Sequence, residues 1–395
     1  MVTKEDIQKI LAGYDLNNLT IGVLGGHSAL DVANGAKKHG FRTVAVCQKN
    51  RANTFSKYYK TRGDKGCIDE VILVDKFEDV TKEDVQKQLR ELNTIFIHNR
   101  YFWVYFNDFA DIEERFQVPI YGLRQGVKLE ERDQPLNQYH LLEKAGIRLP
   151  KILREGGEVL EKEELNKRLE HHFVKEKGAP ILVKANEATR SYERAFFVAT
   201  TAADYFKKAE EMVSAGITTQ ENVNQATIEE FVIGAHVNLN FFYSELNNEL
   251  ELMGTDSRRQ TSLDGFLRLD GKTQTDLLNG GYKPSMIETG HFAVTMKESL
   301  LEKAYDIGEK FVKTMKETVP PGMIGPFALQ GAVAAYEGRE EFVIFDVSMR
   351  IPGSPGTKYT PYSGYMYGES LSYGERIAME IKQAVDENRL PEIIT

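Results

Sequence analysis

The chain has 395 residues, too many for one ordinary core, so two or three domains are expected. A composition of 41% hydrophobic and 28% charged residues fits a globular protein, and no apolar run is long enough to span a bilayer. The formal net charge of −9 argues against a general nucleic-acid binder, which needs a basic surface, but a few local cations suffice for a small anionic substrate.

The opening residues, Met1 to Asp6, carry both signs of charge and no signal-peptide stretch, so a cytoplasmic protein is expected. Residues 20–26 read as a buried strand ending in Gly25-Gly26. A helix follows from Ala29 to His39, stopped by Gly40, then a strand at 41–47. This βαβ start implies a parallel sheet, continued by short strands at 71–74 and 94–98 around a helix at 80–92. Cys47 and Cys67 are too few and too isolated for a disulfide framework or a zinc site, and read as buried thiols.

A helix at 136–145, stopped by Gly146, leads into an α+β unit. It holds strands at 180–184, 195–199 and 226–232 and a helix at 202–214. The third part opens at Gly234 with an alternating strand at 236–243, a turn at Asn247-Asn248 and a strand at 249–253. A long helix, 299–318, precedes a hairpin whose turn is Glu337-Gly338-Arg339-Glu340. A Gly/Pro/Tyr-rich loop at 352–368 and a closing helix at 372–386 finish the chain.

Several side chains carry chemistry in this frame. Gly25-Gly26 lets a ligand approach the backbone, His27 adds a donor, and Ser28 with Asp31 forms a capping-box-like pattern at a helix N-terminus that favours an anion. Lys151 and Lys184 follow or end extended segments, where each reads either as a phosphate-binding point charge or as a strand-edge lysine. In Glu229-Glu230-Phe231-Val232 a carboxylate can bond a ribose hydroxyl while the backbone offers adenine a donor and an acceptor. Asn238 and Asn240 share one strand face. Asp256, Arg258 and Arg259, placed after the strand, suit phosphate or carboxylate, or a solvated loop. Gln330 and Asp346 lie side by side in the expected hairpin, two oxygen ligands for a hard cation. Arg350 is on the same face as Asp346 by alternation and is placed to meet a transferring phosphate.

In this order the parts resemble the ATP-grasp superfamily, and more closely the archaeal formate-dependent family that makes 5-formaminoimidazole-4-carboxamide ribonucleotide (FAICAR) from AICAR, formate and ATP. The segments that carry the likeness are Leu24-Gly25-Gly26-His27-Ser28-Ala29-Leu30, Ile228-Glu229-Glu230-Phe231-Val232-Ile233-Gly234, Asn240-Phe241-Phe242-Tyr243-Ser244, Val319-Pro320-Pro321-Gly322-Met323-Ile324-Gly325-Pro326-Phe327 and Glu375-Arg376-Ile377-Ala378-Met379-Glu380-Ile381.

The resemblance implies an α/β ATP-grasp fold that is α+β in its C-terminal part. A Rossmann-like domain would span 1–125, a linker and lid 126–233, and the C-terminal ATP-grasp domain 234–395. It implies an ATP-dependent carbon–nitrogen ligase of purine biosynthesis, acting through formyl phosphate, with ATP and magnesium (or manganese), and a homo-oligomer; from the charge and the apolar runs no nucleic-acid or membrane partner is expected. His27 matches a nucleotide-substrate contact, Glu230 an ATP contact, and Gln330 and Asp346 the metal ligands. With Arg350 and His27 as catalytic residues, the expected substrate contacts are His27, Ser28, Arg100, Asn240, Arg258 and Ser262. The implied ATP contacts are Lys151, Lys184, Glu229, Glu230 and Val232.

Three places depart from the family pattern. His98-Asn99-Arg100 replaces His-Gly-Ser, Ser262 stands where an Asn is expected, and the lid loop 184–194 has no glycine, leaving Arg190 or Arg194 to supply charge. Two further readings fit the same residues: a related ligase joining a different acid and amine, and a nucleotide-binding protein without turnover.

Overall fold

The structure, a computed structural model, describes residues 2–104, 108–132, 134–185, 196–282, 284, 287–336 and 338–395. The lid-loop residues Arg190 and Arg194, and Glu337 of the expected turn, lie outside the described residues. Three sheets organise the described residues.

The first is parallel, in the order β3-β2-β1-β4-β5: β1 (Thr20–Leu24), β2 (Arg42–Gln48), β3 (Glu70–Val74), β4 (Thr94–Ile97) and β5 (Ile120–Tyr121). Every residue of β1 and β4 is buried, as covered parallel strands require. The helix Ala29–Lys38 after β1 packs on the closing helix Tyr373–Asp386 through two glycines. A Cβ on Gly35 would lie 2.0 Å from the carbonyl carbon of Gly374, and a Cβ on Gly374 2.0 Å from the Asp31 carbonyl oxygen. The C-terminal tail then joins the first sheet's edge. Thr395 and Ile120 exchange backbone hydrogen bonds, and the Arg124 guanidinium donates to four carbonyls, including that of Thr395.

The second sheet is antiparallel, in the order β6-β9-β7-β8: β6 (Ile152–Arg154), β7 (Ile181–Lys184), β8 (Phe196–Ala199) and β9 (Thr227–Glu230). The third, also antiparallel, runs β12-β11-β10-β13-β14: β10 (Ala235–Ser244), β11 (Glu249–Gln260), β12 (Glu288–Val294), β13 (Gly325–Tyr336) and β14 (Arg339–Ser348). In β10 the period-2 rule sorts the side chains cleanly. Val237, Leu239, Phe241 and Tyr243 enter the core under the long helix Glu298–Thr318, leaving Asn238 and Asn240 on the other face.

Three local expectations are corrected. The strand expected to stop at 253 continues to Gln260, so Asp256, Arg258 and Arg259 are strand residues rather than a following loop. The added edge strand β12, paired with this extension, holds it in the sheet. The segment 352–368 is not a continuous loop: a 3-10 turn, Pro355–Tyr359, and a short helix, Tyr362–Tyr367, form within it. Ser28 does not cap its helix. Its backbone has φ +67°, which directs Oγ to the Pro352 carbonyl at 2.9 Å, and Asp31 instead accepts from the Gly374 N–H at 3.0 Å.

Candidate active site

Strand register assembles one polar row. Asp256 lies opposite Asn238, Asn238 opposite Gln330, and Gln330 opposite Asp346, so four side chains cross β11, β10, β13 and β14 in line. The side-by-side placement of Gln330 and Asp346 is the one expected from the hairpin. A β-bulge follows Gln330.

At one end of the row Asp256 is fully buried and collects four donors. Asn238 Nδ2 and Asn240 Nδ2 donate at 2.7 and 2.6 Å, Ser354 Oγ at 2.7 Å, and His291 Nδ1 at 2.6 Å. Burial pushes this carboxyl's pKa up, but the donors outweigh it and the net shift is downward. Asn240 keeps a buried Oδ1 without a protein partner among the described residues, an acceptor left for a ligand.

At the other end both candidate cation ligands face arginine. The Gln330 Oε1 accepts from Arg258, whose guanidinium lies 3.9 Å from Asp346, and Arg132 binds Asp346 at 2.7 Å. Gln330 Nε2 donates to Ser348 at 2.9 Å, which turns its oxygen toward Arg258. Two oxygens already directed at one cation, with a single carboxylate between them, suit magnesium, which takes few protein ligands and fills the rest with phosphate and water.

Lys184 ends β7 at the junction with β14. It is buried and forms an ion pair with Glu229 at 2.6 Å, and it donates to the Tyr139 hydroxyl at 2.8 Å and the Phe345 carbonyl at 3.1 Å. Desolvation lowers its pKa to about 8, helped by Arg132 and opposed by Glu229 and Asp346. The Glu229 carboxylate also accepts from Tyr139 and is closed to solvent. Of the two carboxylates read as able to bond a ribose hydroxyl, strand alternation turns Glu229 inward onto Lys184 and leaves Glu230 partly exposed. Val232 is buried, and Lys151 points to solvent in an ion pair with Glu176.

His27, exposed, follows β1 and lies near the Asp256 end of the row, its ring 6.3 Å from that of His291. Asn99, buried, holds the turn by donating to the Leu24 and His27 carbonyls at 3.1 and 3.0 Å, a job no glycine at this position could do. The surrounding protein desolvates the imidazole and lowers its pKa, with Arg350, His291 and Arg100 adding to the effect and Glu288 opposing it. Solvent still reaches the ring.

Arg350 lies in the bend beyond β14, not on the strand as alternation suggested, and is buried against Glu130 at 3.3 Å. Burial raises the Glu130 carboxyl to about 7 despite this arginine. The Arg350 Nε has no hydrogen-bond partner among the described residues. Ser262 follows β11 in a turn with φ +52°, opening the short helix Leu263–Phe266. Glu288 and His291, unforeseen from sequence, come from the edge strand β12.

Two family models match, a protein of unknown function (DUF1246) over residues 21–153 and a domain of unknown function (DUF1297) over 204–395. A curated FAICAR synthetase from Methanothermobacter thermautotrophicus is 36% identical over 100% of this chain and 99% of its own length. The chain belongs to the FAICAR synthetase family. Another family member, from Methanopyrus kandleri, is 32% identical over the full length of both proteins. The crystal structure of an IMP biosynthesis protein, PurP, from Thermococcus kodakaraensis has a TM-score of 0.65 at 26% identity, covering 95% of this chain and all of that one. A more distant solved structure, an ADP complex of N5-carboxyaminoimidazole ribonucleotide synthetase, has a TM-score of 0.57 at 13% identity over 90% of this chain and 78% of that one. The ATP-grasp fold expected from the resemblance is the fold of this synthetase-family chain.

Proposed function

We propose that the chain is an ATP-dependent carbon–nitrogen ligase that joins formate to the amine of AICAR, giving FAICAR, ADP and phosphate, as a cytoplasmic homo-oligomer. Its units divide near residues 125 and 233. The observation that carries the reading is the full-length relation to FAICAR synthetases. The geometry supports it by gathering Arg132, Arg258 and Lys184 around two paired oxygen ligands, Gln330 and Asp346, and the Glu229 carboxylate.

Gln330 and Asp346 would hold magnesium, which when bound neutralises phosphate charge. Glu230 and the Val232 backbone would hold the adenosine. Lys184 would leave Glu229 to reach the phosphates, and Lys151 would leave Glu176. A formate oxygen attacks the γ-phosphorus and ADP leaves. The AICAR amine then attacks the formyl carbon, phosphate leaves, and the nitrogen loses a proton. Arg258 and Arg350 face the charge that builds on the transferred group. His27, Ser28, Arg100, Asn240 and Ser262 would position AICAR, with Asn240 Oδ1 as an acceptor and Arg100 as a phosphate contact.

The test is to follow ADP and FAICAR with purified protein, ATP and magnesium. FAICAR is expected only when AICAR and formate are both present. ADP release indifferent to both, or turnover only with another acid–amine pair, refutes the assignment.

A further inference from the structure

The edge of the third sheet carries a cluster that the ligase reading does not use as a unit. One ligand atom from each of His27, Glu288 and His291 lies within 4.8 Å of the other two. His291 and Glu288 share one end of β12, three residues apart, and His27 comes from the turn after β1.

Each of these side chains is held from behind. His291 Nδ1 is fixed by the buried Asp256 carboxylate at 2.6 Å, and its Nε2 is hydrogen-bonded to Glu288 Oε1 at 3.0 Å, so a bound ion would take the place of the proton between these two ligand atoms. Glu288 Oε2 is steadied by Arg258 Nε at 3.2 Å. The His27 ring packs on Gly353, where an added Cβ would come within 1.8 Å of it, and Asn99 pins its backbone. A carboxylate behind an imidazole is the arrangement that sets the tautomer and direction of a metal-binding histidine. Two imidazoles and one carboxylate are also the donor set of open zinc sites, whereas magnesium prefers oxygen throughout.

We propose that His27, Glu288 and His291 bind one zinc-class divalent ion, with a fourth coordination position open to an anionic oxygen of the substrate. The site is separate from the Gln330–Asp346 pair, and Arg258 stands between the two. The inference goes beyond the ligase reading, and its test uses metal alone, so failure of either leaves the other standing.

Metal-stripped full-length protein is titrated with Zn²⁺ against a chromophoric chelator, and with Co²⁺ followed by visible absorption. One equivalent of zinc is expected, with a Co²⁺ spectrum of four-coordinate character. Glu288→Gln and His291→Ala should abolish that spectrum. Asp256→Asn, which touches no ion, should weaken zinc binding about 10–100-fold. Asp346→Ala should leave zinc affinity unchanged. Because Glu288 lies at the cleft surface, Glu288→Gln reports even where His291→Ala fails to fold. No zinc binding, binding that survives Glu288→Gln, or binding lost equally in Asp346→Ala overturns the proposal.

Discussion

The Lys184–Glu229 pair offers the sharpest test of the site. Lys184→Met leaves the Glu229 carboxylate buried with the Tyr139 hydroxyl as its hydrogen-bond donor and only the more distant charge of Arg132 to offset it, and Glu229→Gln leaves a buried ammonium facing Arg132. Removing one partner of a buried pair costs about 3–5 kcal/mol. The double variant Lys184→Met/Glu229→Gln removes both charges and should lose less than the sum of the singles, with a coupling of about 2–3 kcal/mol. The measurement is denaturant unfolding of all four proteins at pH 7. Alkaline pH supplies a second readout. The Lys184 pKa in the folded protein, about 8, lies below its usual 10.5. Between these values the unfolded chain binds more protons, so this lysine's contribution makes stability rise with pH across the window, by roughly 3 kcal/mol in all. Lys184→Met should remove that rise. Additive single variants, or a pH profile unchanged by Lys184→Met, would refute the claim that the pair is coupled and that burial sets the lysine's charge.

Three further outcomes follow from the same geometry. Asp346→Ala should cut kcat and flatten its magnesium dependence together, measured by ADP release across a magnesium titration; full activity would remove Asp346 from the metal site. His27→Ala should raise the KM for AICAR while sparing ATP affinity, read from steady-state kinetics beside an ATP binding titration. Gly374→Ala should destabilise by about 1–3 kcal/mol, because its new methyl meets the Asp31 carbonyl at 2.0 Å; a melting temperature equal to wild type would show that the helix contact yields freely.

The parts of the fold and site legible in the sequence are those where one physical signal dominates. The β13–β14 pairing was readable because two apolar β-type runs flank a turn-rich stretch, but the turn's own register would set Gln330 opposite Phe345, and only the bulge after Gln330, which no local pattern marks, brings Asp346 opposite it. The second half of β11 was not, because Thr255-Asp256-Ser257-Arg258-Arg259-Gln260 lacks the apolar alternation that marks a strand: its cleft face is polar for chemistry. The edge strand β12 is short of buried residues for the same reason, which hid Glu288 and His291. Adjacent Glu229 and Glu230 must face opposite ways in a strand, but only the fold shows which one meets Lys184. Ser28 resembles a cap by type, yet its positive φ is set by tertiary packing that no local pattern reveals.

On the proposed reading a ligand would enter by exchanging charged contacts. Glu229 and Tyr139 hold Lys184, and the Tyr139 ring lies 5.2 Å from the Arg132 guanidinium. Arg132 holds Asp346, while Arg258 joins Gln330 and Glu288. The charges are thus paired in a chain that runs from the second sheet across the third. A polyphosphate would exchange its oxygens for Glu229 and Asp346 around Lys184, Arg132 and Arg258, and magnesium would exchange with Arg258 at Gln330 and Asp346. In an exchange of this kind the net affinity is the small difference between two sets of charged contacts, both largely desolvated. Neutralising Glu229 therefore lowers the cost of releasing Lys184. Glu229→Gln should bind ATP more tightly than wild type even as it loses stability, a pairing of effects that a purely structural ion pair would not produce.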